Sequence, residues 1–479
     1  MNTPNILWIC PDQQRWDTLG CYGNPYVKTP NLDSLAADGT VFDTCFTQNP
    51  VCTPSRACFL TGRYPRTTRA RQNGQNIPAD EVLITRILAE AGYTCGLSGK
   101  LHLSACHPTV CKDVEPRIND GYTEFHWSHD NGSAWTGNEY HHWLKEKGVA
   151  YGRQPHPETP WVLEGPSAEN HQTTWCAEKA VAFIRAHAAG DQPWLFSVNM
   201  FDPHDSFDPP KEYLARYMEF LDDIPLPNYV EGELDNKPSY QQVAHQAAYN
   251  NPRYLPFTEM SDREHRLCRA AYWAMCDLID DQVGRMLAAL DETGQRDNTI
   301  VIFISDHGEM LGDHGIYTKG PFFYEGAVRV PFIISWPGKI TQQRSTALVE
   351  LTDIAQTILD ALDMPHHPGM QGQSLWPMLS GNTDPSAHRE DVYCEYYNAM
   401  PFFSDPKAQM TMVRTASHKL VVDHTASNGE LYDLNTDPNE TVNKWDDPTC
   451  AETRSAMLLR MCNRMAWTTD PLPERIAPW

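Results

Sequence analysis

The chain of 479 residues lacks positive charge: Lys plus Arg total 38 against 62 for Asp plus Glu, a net charge of −24. Such a surface repels phosphate backbones and anionic headgroups. It excludes nucleic acid and an anionic membrane surface as partners, so an anionic substrate must be met by a local basic cluster. No apolar run approaches the roughly 18–20 residues of a membrane span. The start, Met1 to Cys10, has no basic segment followed by a long apolar one, so no secretory signal is read and a cytoplasmic location is expected. The fourteen cysteines form no regular framework and read as reduced thiols. Cys106 and Cys111 match no zinc spacing and read as ordinary loop cysteines. Internal repeats and low-complexity tracts are missing too.

What the chain does have is an alternation of apolar runs and amphipathic segments. Asn5 to Cys10 is a short apolar run ending at Pro11-Asp12, which predicts a buried parallel strand delivering Asp12 at its C-terminal end. Trp194 to Met200, Asn298 to Ser305 and Val330 to Trp336 predict further buried strands. The first two lead into Asp202-Pro-His204 and Asp306-His307. Helices are predicted over Pro30 to Ala37, Asp80 to Ala91, Asn170 to Ala188 and Ser261 to Thr293, with Ser261 and Glu264 spaced as a capping box. This alternation predicts an α/β fold with a large, mostly parallel central sheet sandwiched by helices. In such sheets ligands bind beyond the carboxyl ends of the strands.

Two stretches, 104–170 and 205–260, break the rhythm. Long irregular insertions usually carry function, and these are expected to shape the pocket or an oligomer contact. The aromatic residues Tyr122, Phe125, Trp127, Trp135, Tyr140 and Trp143 suit either an aromatic or cationic alcohol or a subunit interface. Beyond about residue 380, strands are predicted over 392–397, 409–415, 419–423 and 430–434, and a closing helix over 450–467. The expected organisation is a catalytic domain over 1–380 and a smaller C-terminal α+β subdomain with an antiparallel sheet over 381–479.

The most telling run is Cys-Thr-Pro-Ser-Arg-Ala-Cys-Phe-Leu-Thr-Gly-Arg at 52–63. Pro54 suits the first turn of a helix, which places Cys52 just outside that turn. Backbone N–H groups and the helix dipole favour an anion there. Arg56 and Arg63 add fixed charge able to fork onto oxyanions. A thiol-derived nucleophile beside an anion cradle points to chemistry on sulfate or phosphate esters. Asp12 and Asp306-His307 end two predicted strands and can converge on one cation. Carboxylates suit hard divalent ions, and imidazole shifts the preference toward transition metals.

The run is similar to the maturation motif of the type I sulfatases, Cys-X-Pro-Ser-Arg followed by Thr-Gly-Arg, in the alkaline phosphatase superfamily. Glu430-Leu-Tyr-Asp-Leu434 with Asp437-Pro-Asn-Glu440 extends the resemblance to the C-terminal region. The resemblance implies that a maturase oxidises Cys52 to Cα-formylglycine, whose hydrate is the nucleophile. It implies metal ligands at Asp12, Gln13, Cys52, Asp306 and His307. The family's commoner pairs are Asp-Asp and Asp-Asn; here Asp12-Gln13 and Asp306-His307 bring one fewer carboxylate and a nitrogen, so one divalent cation, Ca2+ or Mn2+, is expected. This pairing resembles the phosphonate monoester hydrolase branch. Ser98-Gly-Lys-Leu-His-Leu103 is similar instead to the sulfatase Gly-Lys-X-His motif, which gives Lys100 the ester oxyanion and His102 the formylglycine. By the same resemblance His204 protonates the leaving group. Lys319 is a second oxyanion contact, Arg56 spreads developing charge, and Asn73 is a polar substrate contact.

The expected activity is hydrolysis of aryl or other small sulfate esters. The alternative is a phosphonate monoester or phosphodiester hydrolase with the same machinery. From another class comes an unconverted, catalytically silent metal-binding interaction protein. A homo-oligomer is compatible with the insertions.

Overall fold

Alternating burial on both faces of the central strands sets the architecture. In the computed structural model, which describes residues 3–132, 135–403 and 407–479, Ile6 and Trp8 enter one core and Leu7 and Ile9 the other. Ile300, Ile302 and Ile304 alternate with Val301 and Phe303 in the same way. A strand apolar on both faces has to be covered on both. Ile279, Val283 and Met286 of the helix Asp262–Glu292 pack into the Leu7 core, and Ile354, Ile358 and Leu359 of Asp353–Ala361 into the Ile6 core.

The central sheet has eight strands in the order Gln343–Ser345, Thr40–Phe42, Phe332–Ser335, Thr299–Ile304, Asn5–Ile9, Trp194–Asn199, Thr94–Gly99 and Glu124–Trp127. Phe332–Ser335 is antiparallel to both neighbours; the other pairs are parallel. This is the mostly parallel α/β sheet expected. A separate antiparallel sheet joins Asp391–Tyr397, Gln409–Thr415, His418–Asp423 and Asn428–Asp433, and the helix Ala451–Trp467 packs on it through Met457 and Met461.

Departures from the expected elements have local causes. The run 330–336 is split at Pro331, which has no N–H to donate: Arg329–Val330 pairs with Cys45–Phe46, and only Phe332–Ser335 joins the central sheet. The helix expected from Asp80 starts at Ile84, because Glu81 is drawn into a buried ion pair with Arg63 at 3.2 Å. Ser261 and Glu264 do form the capping box.

The irregular stretch 104–170 contributes the edge strand Glu124–Trp127 and the helix Glu139–Glu146. Trp127, Trp135 and Tyr140 are buried in side-chain clusters and Tyr122 bonds Ser197 Oγ at 2.8 Å. These four therefore build the interior rather than a binding surface. All fourteen cysteines are unpaired. Among the described residues no helix is long and apolar enough to cross a membrane.

Candidate active site

Four neighbouring strands, Thr299–Ile304, Asn5–Ile9, Trp194–Asn199 and Thr94–Gly99, run parallel and so end on one edge of the sheet. Just beyond those ends lie Asp306-His307, Asp12-Gln13, Asp202 to Asp205, and Lys100 with His102. The helix Cys52–Thr61 supplies the remaining group. Val51 is its N-cap and Cys52 its first residue, one position further inside than Pro54 suggested; Gly62 ends it at φ 67, where a side chain would be strained. Ser55 Oγ donates to the Asp306 carbonyl at 2.5 Å and ties the helix start to the strand end.

Asp12, Cys52, Asp306 and His307, all buried, each offer one ligand atom, and these atoms lie within 4.8 Å of one another. His307 Nδ1 is 2.9 Å from the Gly308 carbonyl. That bond takes the Nδ1 proton and leaves the Nε2 lone pair facing the cluster, 3.1 Å from Cys52 Sγ. Two carboxylates, an imidazole and a sulfur-bearing side chain fit a single divalent cation.

Buried carboxylates need nearby positive charge. Lys100 Nζ is 2.6 Å and Arg56 Nη2 3.1 Å from Asp12 Oδ2, and Arg56 Nε is 2.9 Å from Asp306 Oδ2. Burial and Cys52 push the Asp12 carboxyl up, but Lys100, His204 and Arg56 outweigh them and hold it below its ordinary value. Burial also raises the Cys52 thiol, yet Lys100 and Lys319, and His307 when it is protonated, hold it well below the usual thiol range. The site is built to carry negative charge at position 52.

Several sequence-derived roles take a different shape. All three donor groups of Arg56 go to Asp12, Asp306 and the Lys100 carbonyl, so it balances the carboxylates rather than reaching outward. Arg63 pairs with Glu81 and Asp470 and donates to the Gly369 carbonyl; its charge is not part of the cradle. Asn73 Oδ1 accepts from Thr53 N at 3.0 Å, which caps the Cys52 helix, and Gly74 at φ 85 makes the adjoining turn. Lys100 Nζ is 3.8 Å from Cys52 Sγ. Lys319 Nζ meets His204 Nε2 at 2.6 Å and also the carboxamide oxygen of Gln13. Gln13 thus turns its carboxamide toward Lys319.

Some functional residues carried no sequence signal. Glu115 lies in the irregular stretch, yet its carboxylate accepts from the N–H groups of His102, Leu103 and Ser104 at 2.7, 2.9 and 3.2 Å and from Trp127 Nε1 at 2.9 Å. It holds His102 in a left-handed conformation, φ 53, with the ring edge-on to His129. Tyr249 and Tyr254, from the other insertion, donate to Asp205 at 3.0 and 2.7 Å. Asp205 had a sequence cue, its adjacency to His204, and so did Glu309, which follows Asp306-His307 and accepts from Gln13 Nε2 and the Leu311 N–H.

Behind the His204 loop sits a second buried group, His171, Asp202 and Asp208. Thr173 Oγ1 donates to Asp202 at 2.6 Å, and Asn131 Nδ2 to both oxygens of Asp208 at 3.2 Å. Burial pushes the Asp208 carboxyl up to about 7, with Asp202 adding to the rise and His171 and Arg153 opposing it. A folded-state pKa raised above the unfolded one means that folding favours the protonated form, so this contribution is lost as pH rises through about 7. Asp208→Asn is therefore expected to stabilise the protein at pH 8 by on the order of 1–4 kcal/mol and to flatten the decline in stability between pH about 4 and about 7. Denaturant unfolding across pH reads both; a variant no more stable than wild type at pH 8 counts against this.

The family model described as Sulfatase matches residues 4–364, and that described as N-sulphoglucosamine sulphohydrolase, C-terminal, matches residues 312–466. Across all of its length the chain is 31% identical to the uncharacterized sulfatase YidJ of Escherichia coli (strain K12), covering 91% of that protein. It is 29% identical to an arylsulfatase of Clostridium perfringens (strain 13 / Type A), over 92% of this chain and 90% of the relative. Among solved structures, the phosphonate monoester hydrolase SpPMH from Silicibacter pomeroyi aligns with a TM-score of 0.84 at 26% identity, over 98% of this chain and 96% of that one. With the family model spanning most of the chain and the cluster around Cys52 at the carboxyl edge of the sheet, the chain belongs to the sulfatase family of formylglycine-dependent, metal-binding sulfuric ester hydrolases.

Proposed function

We propose that this sulfatase cleaves aryl or other small sulfate esters, with Cα-formylglycine made from Cys52 by a maturase as nucleophile. The observation that carries this reading is the meeting of Lys100 with Cys52: the buried ammonium of the Gly-Lys-X-His motif lies 3.8 Å from the sulfur. Formylglycine, once hydrated, supplies two hydroxyls on one carbon, one to attack and one to release the product. Asp12, Asp306, His307 and residue 52 would hold the cation, which when bound would supply Lewis-acid polarisation of the ester oxygens. The His307 nitrogen favours Mn2+ over Ca2+ there.

The remaining chemistry belongs to the side chains. Lys100 and Lys319 hold the non-bridging oxygens of the ester and stabilise the charge that grows on them. His204 Nδ1 lies 2.5 Å from the Asp205 carbonyl and Nε2 lies 2.6 Å from Lys319 Nζ; as the imidazolium, protonated on both nitrogens, it would give the Nε2 proton to the departing oxygen. His102 hydrogen-bonds the Cys52 side chain, and its Nδ1 is buried with no hydrogen-bond partner among the described residues, which suits the ring to take a proton from the group at position 52. We assign the catalytic domain to 1–380 and a C-terminal subdomain to 381–479, which contains the four-stranded antiparallel sheet. The unpaired cysteines support a reducing compartment.

The second reading is a phosphonate monoester or phosphodiester hydrolase. It is favoured by the Asp12-Gln13 and Asp306-His307 pairs and by the likeness to SpPMH. The two readings separate on kcat/KM for matched nitrophenyl sulfate and phenylphosphonate substrates. The sulfate is expected to lead by at least about tenfold. A phosphonate preference of several orders of magnitude would sink the sulfatase assignment.

A further inference from the structure

Gln13 occupies the position where a carboxamide oxygen was expected to join the cation. It is fully buried, with φ 68, a left-handed conformation uncommon for a residue with a Cβ. Both its backbone polar groups are engaged: the N–H donates to Asp306 Oδ1 at 3.0 Å and the carbonyl accepts from the Tyr272 hydroxyl at 2.5 Å. The side chain is engaged as well. Nε2 donates to Asp205 Oδ1 at 3.2 Å and to Glu309 Oε2, and Oε1 accepts from Lys319 Nζ.

Charge fixes which way round this amide lies. Two carboxylates require the NH2 group, and an ammonium requires the oxygen; a flipped amide would oppose oxygen to carboxylate and N–H to ammonium. An oxygen already accepting from an ammonium is a poor ligand for a divalent cation, because two positive charges would crowd one atom. Lys319 has no carboxylate within ion-pair distance among the described residues. Glu309 reaches it through the Gln13 amide, and Asp205 through that amide and through His204, whose Nε2 lies 2.6 Å from Lys319 Nζ and whose Nδ1 lies 3.2 Å from Asp205 Oδ1. That arrangement fixes the ammonium while leaving its charge uncancelled by a direct partner.

We infer that Gln13 is a positioning residue for Lys319 and not a ligand of the cation: its amide, held by Asp205 and Glu309, presents the Lys319 ammonium to the oxyanion of the ester. The identity of that oxyanion rests on the proposed function; the coupling of Gln13 to Lys319 does not.

The test is a double-variant cycle on matured enzyme. Gln13→Met keeps the length and removes both polar ends. Gln13→Asn shortens the amide in a residue type that tolerates left-handed backbone, and it keeps the test standing if the first variant misfolds. Three readouts are taken: cation content by elemental mass spectrometry, competitive inhibition by inorganic sulfate and by inorganic phosphate, and kcat and KM. The Gln13 variants are expected to keep the wild-type cation content. Their affinity for inorganic sulfate should fall about tenfold, the loss of one charge-assisted contact, in step with Lys319→Met. The double variant should be no worse than Lys319→Met alone. Loss of the cation from folded Gln13 variants, or independent multiplicative losses in the double variant, would overturn the inference. Tighter binding of phosphate than sulfate with the coupling intact would overturn the sulfate assignment instead.

Discussion

Cys52→Ala is expected to abolish ester hydrolysis, lowering kcat by about 10⁴-fold or more, the scale on which removal of a nucleophile acts in enzymes with covalent intermediates. The loss should be chemical rather than structural. Cys52 lies at the start of its helix, and that helix is fastened independently by Ser55 on the Asp306 carbonyl and by Asn73 on Thr53 N. Near-native unfolding should therefore accompany the lost activity. The wild-type protein, co-expressed with a competent maturase, should yield a peptide around position 52 about 18 Da lighter than the thiol form, the change from a thiol to an aldehyde. Peptide mass spectrometry and a steady-state assay read the two halves of this prediction. A thiol-only peptide with no turnover would favour the silent, metal-binding interaction protein.

The parts of the site legible in the sequence are those set by strand ends and a helix start. An apolar run that stops at Pro11-Asp12 or at Ser305-Asp306 has to place its next residues at one sheet edge, and Pro54 marks a helix start. Asp12, Asp306, His307 and Cys52 follow from that reasoning. What it missed depends on contacts across long sequence separations. Glu115 finds the His102 turn only because Glu124–Trp127 extends the sheet beside Thr94–Gly99 and brings Trp127 to the same carboxylate. Tyr249 and Tyr254 meet Asp205 because the 205–260 insertion folds back over the strand end, which no local period encodes. Arg63 is drawn to Glu81 rather than to the cradle for a related reason, and Asn73 Oδ1 is taken by the Thr53 amide. By residue type alone both fit an anion site. For the fold, one proline explains why 330–336 is two strands and not one.

Asp12→Ala is expected to remove both the cation and a large part of the stability, because Asp12 is the common partner of two buried cations. Lys100 Nζ and Arg56 Nη2 both lie on Asp12 Oδ2, at 2.6 and 3.1 Å, and none of the three side chains is more than 2% exposed. Among the described residues, deleting the carboxylate leaves Lys100 with no ion-pair partner and strips Arg56 of one of two, the situation in which breaking a buried pair is worth about 3–5 kcal/mol. Asp12→Asn keeps the volume and an acceptor oxygen while losing the charge, so it should fall between wild type and Asp12→Ala. The acid limb provides a second check. The Asp12 carboxyl is held below its ordinary value, so its stabilising contribution is complete above about pH 4 and is lost as pH falls further. Wild type should therefore lose more on acidification than Asp12→Asn does. Denaturant midpoints at pH 7 and pH 3, with cation content measured on the same samples, test the series. An Asp12→Ala protein that unfolds at the wild-type midpoint would mean that Arg56 and Lys100 are balanced by other groups.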